Sequence, residues 1–124
     1  MRSSLDENKP IFQQIREMIE DDIVNGNLKE EEQAPSTNQL VAYYKINPAT
    51  VLKGFNQLVD AGILYKKRGV GMFVAAGAHQ MLREQRKQAF QEQYVSSMLH
   101  EADKLGITIE EIKNMIDASK GRDN

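Results

Sequence analysis

At Asn47-Pro48 the chain restarts a helix only a few residues after another has ended, and this restart constrains the fold more than any other feature. Just upstream, Pro35-Ser36-Thr37 puts a hydroxyl where it can cap a helix carrying Leu40, Val41 and Tyr44. That helix is short, and Lys45-Ile46 is left to form the turn. Asn47 then offers a second cap, and Pro48 suits a first helical position because its missing N–H would be unbonded there anyway. Val51, Leu52, Phe55, Leu58 and Val59 give the new helix an apolar face, and Ala61-Gly62 ends it.

The flanks extend the pattern. Residues 1–9 are polar and read as a flexible N-terminus. Pro10 is expected at the first position of a helix with Ile11, Phe12, Ile15, Met18, Ile19 and Ile23 at helical spacing, closed near Gly26. Leu28 to Ala34 reads as an acidic linker. Beyond the second short helix, Ile63-Leu64-Tyr65 and Met72-Phe73-Val74 read as strands around the basic, glycine-containing turn Lys66-Lys67-Arg68-Gly69-Val70-Gly71, which makes a β-hairpin. Ala75 to Ala78 is a junction of small residues, read as a swivel between residues 10–75 and a tail over residues 76–124.

The tail predicts a long helix from about Ala78 to Lys104, polar in its first half and then carrying Phe90, Tyr94, Val95, Met98, Leu99, Ala102 and Leu105 on one stripe. The polar half predicts a helix that reaches away from the preceding domain. Gly106 stops the helix, and Thr108 with Glu111 matches a capping box for a last helix with Ile109, Ile112, Met115 and Ile116. Phe90, Tyr94, Met98 and Leu99 form a stripe without enough local chain to cover it, the mark of a dimerisation surface.

Composition removes whole classes of function. None of the 124 residues is cysteine, so disulfides, thiol nucleophiles and thiolate metal sites are excluded. His79 and His100 have no metal-ligand spacing, Gly69 and Gly71 do not precede a helix as a phosphate loop would, and Glu110-Glu111 serves capping. The expectation is a protein with no cofactor, no metal and no enzymatic activity. No apolar run approaches a membrane span and the first residues lack the apolar core of a signal peptide, so no membrane partner and a cytoplasmic location are expected. The formal net charge is −2, yet from Ser36 to Val74 there are five bases (Lys45, Lys53, Lys66, Lys67, Arg68) and a single acid, Asp60. Phosphate binding depends on the local field, so a basic face can work on an acidic chain.

Helix, helix, short turn, helix and a basic-tipped hairpin follow the order of a winged helix-turn-helix. The fold class expected is therefore mainly α with a small β-hairpin, a winged helix-turn-helix followed by a short two-helix dimerisation tail. In such a fold the second helix of the motif can enter the major groove, and a hairpin tip can lie close to the adjacent minor groove. The stretch Pro10 to Val74 resembles the DNA-binding domain of the GntR family. The resemblance rests on Pro-Ile-Phe-Gln-Gln-Ile at 10–15, Gly26-Asn27-Leu28, Ala34-Pro35-Ser36, Asn47-Pro48-Ala49-Thr50-Val51, Leu58 to Leu64, and Gly69-Val70-Gly71-Met72-Phe73-Val74. The Asn-Pro-x-Thr-Val run, the Gly-x-Gly wing and the short tail are similar to the YtrA-like subfamily.

The resemblance implies roles for the matching positions. Asn47, Ala49 and Thr50 open the recognition helix, with Lys53 one turn further facing phosphate or a base edge. Ser36 and Thr37 meet backbone phosphate, Asn38 stands where many relatives have arginine, Arg68 and Gly69 form the wing tip, and Lys67 beside them contacts DNA. The function implied is a transcription regulator, a repressor of the YtrA-like kind, that binds double-stranded operator DNA as a homodimer on a palindromic site and controls ABC-transporter genes. A small-molecule effector would bind between the subunits of the dimer or between the tail and the winged domain. The alternative is a protein-interaction module in which the winged fold and the tail dock a protein partner.

Overall fold

The computed structural model describes residues 4–122. In chain order the elements are α1 (Ile11–Val24), α2 (Thr37–Tyr44), α3 (Pro48–Asp60), β1 (Leu64–Lys67), β2 (Gly71–Val74), α4 (Ala78–Phe90), a π-helical turn (Gln91–Val95), α5 (Ser96–Leu105) and α6 (Ile109–Arg122). This is the winged helix-turn-helix architecture: three helices and a hairpin, followed by the helical tail. The chain divides into two compact units between Gln85 and Arg86.

The first unit is built on the amphipathic faces of α1 and α3. Ile15, Met18, Ile19 and Ile23 from α1 meet Val51, Phe55 and Leu58 from α3, all buried, with Leu40 of α2 and Ile63, Leu64 and Val74 of the hairpin closing the core. Complete burial of side chains this size stabilises by roughly 1.5–3 kcal/mol each. The helices are in close contact at Gly54, where a Cβ would lie 2.8 Å from the Phe12 carbonyl oxygen. Beside this contact the Arg16 guanidinium donates to Gln57 Oε1 at 3.0 Å.

Several local features differ from the sequence-based expectations. Pro10 is the residue before the helix, with ψ 131°, rather than its first helical residue. The short segment ahead of it is tied down by the buried side chain of Gln14. Gln14 Oε1 accepts from the Asp6 amide at 2.7 Å, and its Nε2 donates to the carbonyls of Asp6 and Lys9. Leu5 packs on the core and Lys9 pairs with Glu17 at 2.7 Å, so residues 5–9 are an anchored lead-in rather than the loose end expected, while residues 1–3 lie outside the described residues. The acidic stretch before Pro35 is not a linker either. The Glu31 amide donates to the Val74 carbonyl at 2.8 Å, Val74 donates to Glu32, and Ala34 donates to Met72, so residues 32–34 run as a third antiparallel segment along β2, entered through a turn at Glu31 with φ 67°. The acids find specific donors: Glu30 takes the Gly77 amide, Glu31 the Tyr65 hydroxyl and Glu32 the Lys29 amide. The hydrogen bond to Glu31 holds the Tyr65 phenol above its ordinary pKa.

The 76–124 tail boundary also moves. Ala78 and Leu82 are buried in the core of the first unit, so the opening turns of α4 belong to the winged unit despite their polar neighbours. The small-residue junction is pinned rather than free to swivel: the Ala75 amide donates to Ile63, Gly77 to Glu30, and Gly77 sits at φ 84°. Only two buried side chains are needed to hold an amphipathic turn, which is why overall polarity misled.

In the second unit the helical backbone widens through the π-turn Gln91–Val95 before α5. Gly106, at φ 69°, ends α5, and the Ile107 amide reaches back to Ala102 at 2.9 Å. Thr108 and Glu111 form the expected capping box: the Glu111 amide donates to Thr108 Oγ1 at 3.1 Å and the Thr108 amide to Glu111 Oε1. Residues 123 and 124 of the polar end lie outside the described residues.

Gly54→Ala sets two effects against each other: about 0.5–1 kcal/mol of helix propensity gained and an overpacking cost of about 1–3 kcal/mol. The backbone oxygen of Phe12 cannot rotate away, so the cost wins. The expected result is a lower urea midpoint for unfolding of the winged unit; a midpoint equal to or above that of the parent would show that α1 and α3 are not in close contact there.

Candidate nucleic-acid interface

The candidate face is assembled from two helix starts and a turn. Ser36 stands before α2 in extended conformation, and its Oγ accepts from the Gln39 amide at 3.0 Å while Gln39 Oε1 accepts from the Ser36 amide at 2.8 Å. This reciprocal capping box fixes where α2 begins. Thr37 and Asn38 follow as its first two residues, where backbone amides have no carbonyl within the helix to bond. Lys45 makes the turn with φ 55° and ψ 51°, a left-handed conformation that costs an L-residue energy but lets the chain reverse within three residues.

Asn47 caps α3 as expected, its Oδ1 accepting from the Ala49 amide at 2.8 Å. Its acceptor is therefore engaged in holding the helix start, which leaves the side-chain NH2 as its outward-facing group. Ala49 is exposed and Thr50 half-buried. Lys53 is exposed, with its Nζ 4.0 Å from the centroid of the Phe12 ring. The outward strip of α3 is Ala49, Leu52, Lys53 and Asn56, at i, i+3, i+4 and i+7. Leu52 was expected on the apolar face of this helix but is exposed, because the strip that packs on α1 is Val51, Gly54, Phe55 and Leu58; Asn56 was not singled out from sequence.

The wing pairs Leu64 with Val74, Tyr65 with Phe73, Lys66 with Met72 and Lys67 with Gly71. Its tip closes as a tight turn: the Val70 amide donates to the Lys67 carbonyl at 2.9 Å, with Gly69 at φ 78° in the third position, where a type II turn demands positive φ. Arg68 and Gly69 are exposed at that tip as expected. Lys67 stands opposite Gly71 at the base of this turn, and its Nζ rests 4.3 Å from the Phe73 ring centroid. A residue missed from sequence braces the turn from outside: Gln33 Nε2 donates to the Val70 carbonyl at 2.9 Å and lies over Gly71, where a Cβ would be 2.5 Å away.

In the second unit Phe90, Tyr94, Met98 and Leu99 are exposed, and the Phe90 and Tyr94 rings are 5.4 Å apart. Leu105 of the same stripe is exposed too, and the apolar surface is wider than that stripe: Ile109, Met115 and Ile116 of α6 are also exposed, and α5 and α6 line a concavity of about 430 Å3 floored by Ala102 and Ile112.

Helix-turn-helix with a braced wing defines a winged-helix regulator class. Residues 11–74 match the family described as bacterial regulatory proteins, gntR family, and the chain belongs to that family. It is similar to the HTH-type transcriptional repressor YtrA of Bacillus subtilis (strain 168), 27% identical over 107 residues that cover 86% of this chain and 82% of that one. Among solved structures it is similar to a GntR-family transcriptional regulator from Bacteroides thetaiotaomicron, with a TM-score of 0.76 and 35% identity over 92% of this chain and 99% of that chain. The DNA-binding domain of AraR in complex with its operator ORE1 is similar at a TM-score of 0.52 and 28% identity, covering 60% of this chain and 94% of that chain.

Gly71 adopts φ 144°, a conformation L-residues rarely take, in addition to its contact with Gln33. Gly71→Ala is expected to cost about 1–3 kcal/mol from backbone strain, read as a lower urea midpoint. The cost should persist when Gln33→Ala has already removed the overlying side chain. A cost that vanishes in that background would make steric contact, and not φ, the reason for glycine.

Proposed function

We propose that this chain is an operator-binding transcription regulator of the YtrA-like kind, a repressor that acts as a homodimer. One observation carries the reading: the outward strip of α3, the start of α2 and the tip of the wing are all exposed on the same unit, and that unit is similar to the AraR domain in its operator complex. With α3 in the major groove, Asn47, Ala49 and Thr50 approach base edges and Leu52 meets thymine methyl groups. Ser36, Thr37 and Asn38 approach the phosphate backbone at the start of α2, where exposed amides favour an anion. Arg68 and Gly69 lie in the neighbouring minor groove, where a cation meets negative potential. Lys53 reaches a phosphate by leaving the Phe12 ring, which forgoes only about 0.5–1 kcal/mol at an exposed site.

The tail supplies the dimer. Two copies pairing through Phe90, Tyr94, Met98 and Leu99, widened by Met115 and Ile116, would bury an apolar surface that a single copy leaves open. A two-fold dimer places its recognition helices about 34–36 Å apart, or a multiple of that, on a palindromic site. The similarity to YtrA-like regulators points to ABC-transporter genes as targets.

The test is fluorescence anisotropy with a labelled duplex from upstream of the protein's own gene. Binding should weaken steeply with salt. Arg68→Ala should weaken it on every sequence, and Thr50→Ala should cost more on the upstream duplex than on mixed-sequence DNA. Parent-like affinity in both variants would place the DNA face elsewhere. In light scattering the intact chain should run at twice the monomer mass, and Met115→Glu with Ile116→Glu should give a folded monomer with weaker operator binding. An intact chain that stays monomeric at micromolar concentration would end the dimer reading. A chain ending at Gln85 should keep the stability of the winged unit, whereas one ending at His79 loses buried Leu82 and should melt lower.

A further inference from the structure

The two adjacent lysines of the wing stand on opposite faces of one strand. In β1 the pleat sends Leu64 and Lys66 to one side and Tyr65 and Lys67 to the other. Leu64 is buried in the core, so Lys66 lies on the side that faces the helices. There it lines a cleft of about 180 Å3 together with Pro35, Ser36 and Thr37 at the start of α2 and Leu52 on the outward strip of α3. Lys66 is exposed and makes no ion pair or hydrogen bond among the described residues. Lys67 is placed differently. Its Nζ lies 4.3 Å from the Phe73 ring centroid and 5.9 Å from that of Tyr65, and these two rings stack across the strands at 6.0 Å. The Tyr65 hydroxyl is in turn hydrogen-bonded to the Glu31 carboxylate. Lys67 is thus an ammonium on an aromatic platform with a carboxylate at its edge, on the side of the wing turned away from α2 and α3.

We infer that Lys66 is the wing lysine that neutralises a DNA phosphate, and that Lys67 holds the outer face of the wing together without contacting DNA. This rests on the DNA-binding reading above and reverses the sequence-based choice of Lys67. A duplex lying along α3 with the wing beside it carries one strand over the cleft between them. Lys66 is the cation whose stem already lines that cleft, and its ammonium has no competing partner to give up. Lys67 would have to leave two ring faces and cross to the other side of its strand.

The experiment is a salt series of anisotropy titrations on the upstream duplex with the full chain as parent, Lys66→Gln, Lys66→Arg and Lys67→Gln. Far-ultraviolet circular dichroism verifies that each variant is folded. Losing one phosphate contact makes the slope of log K against log salt shallower by about one. The expected result is that shallower slope for Lys66→Gln and a parent slope for Lys66→Arg and Lys67→Gln, with Lys67→Gln instead lowering the melting temperature. A parent slope in Lys66→Gln, or a shallower one in folded Lys67→Gln, overturns the inference while leaving DNA binding itself intact. A parent that shows no salt-dependent binding overturns the DNA-binding reading, and this inference falls with it.

Discussion

The close approach of α1 and α3 at Gly54 is the contact on which the rest of the candidate interface depends. With no side chain there, α3 can come within van der Waals reach of the Phe12 carbonyl, and Ile15 fills the space alongside. That approach decides which strip of α3 is buried and which is left outward. Val51, Phe55 and Leu58 turn inward, and Ala49, Leu52, Lys53 and Asn56 remain on the far side. A helix that stood further off would rotate to fill the gap, and the outward strip would rotate with it. The Phe12 ring, on the residue whose carbonyl meets Gly54, lies beneath the Lys53 ammonium, so the same stretch of α1 also sets the resting position of a surface cation.

Features written in local chemistry were legible from the sequence. Ser36 and Asn47 begin helices because their side-chain oxygens accept amides two or three residues on, which needs nothing from the rest of the chain. Gly106 and the Thr108–Glu111 box end one tail helix and begin the next for equally local reasons. The hairpin itself was legible, but its strands run on to Lys67 and Gly71, so the six-residue turn read from the sequence tightens to a tip at Arg68-Gly69.

Features that depend on a distant partner were hidden. Residues 32–34 carry neither alternation nor branched side chains, and they run along β2 because it offers unpaired backbone groups beside them. The polar opening of α4 gave no hint that two side chains, Ala78 and Leu82, would suffice to join it to the winged unit. Gln14 reads as one more polar helix residue, yet it is buried because the lead-in carbonyls and the Asp6 amide satisfy its amide completely. Lys66 and Lys67 are indistinguishable as a basic pair, but strand alternation counted from buried Leu64 separates them. That signal was present in the sequence and needed only the strand's inward face to be used.

The brace across the wing has a consequence for how such a protein can change. Gln33 lies outside the hairpin, yet it holds the Val70 carbonyl and covers Gly71, so the posture of the tip is set by a residue that need never touch a ligand. Variation at position 33 can therefore stiffen, loosen or tilt the wing while Arg68 and Gly69 stay as they are. Two proteins with identical tips could read the same groove differently because of a side chain more than thirty residues upstream. Comparing contact residues alone would miss the cause.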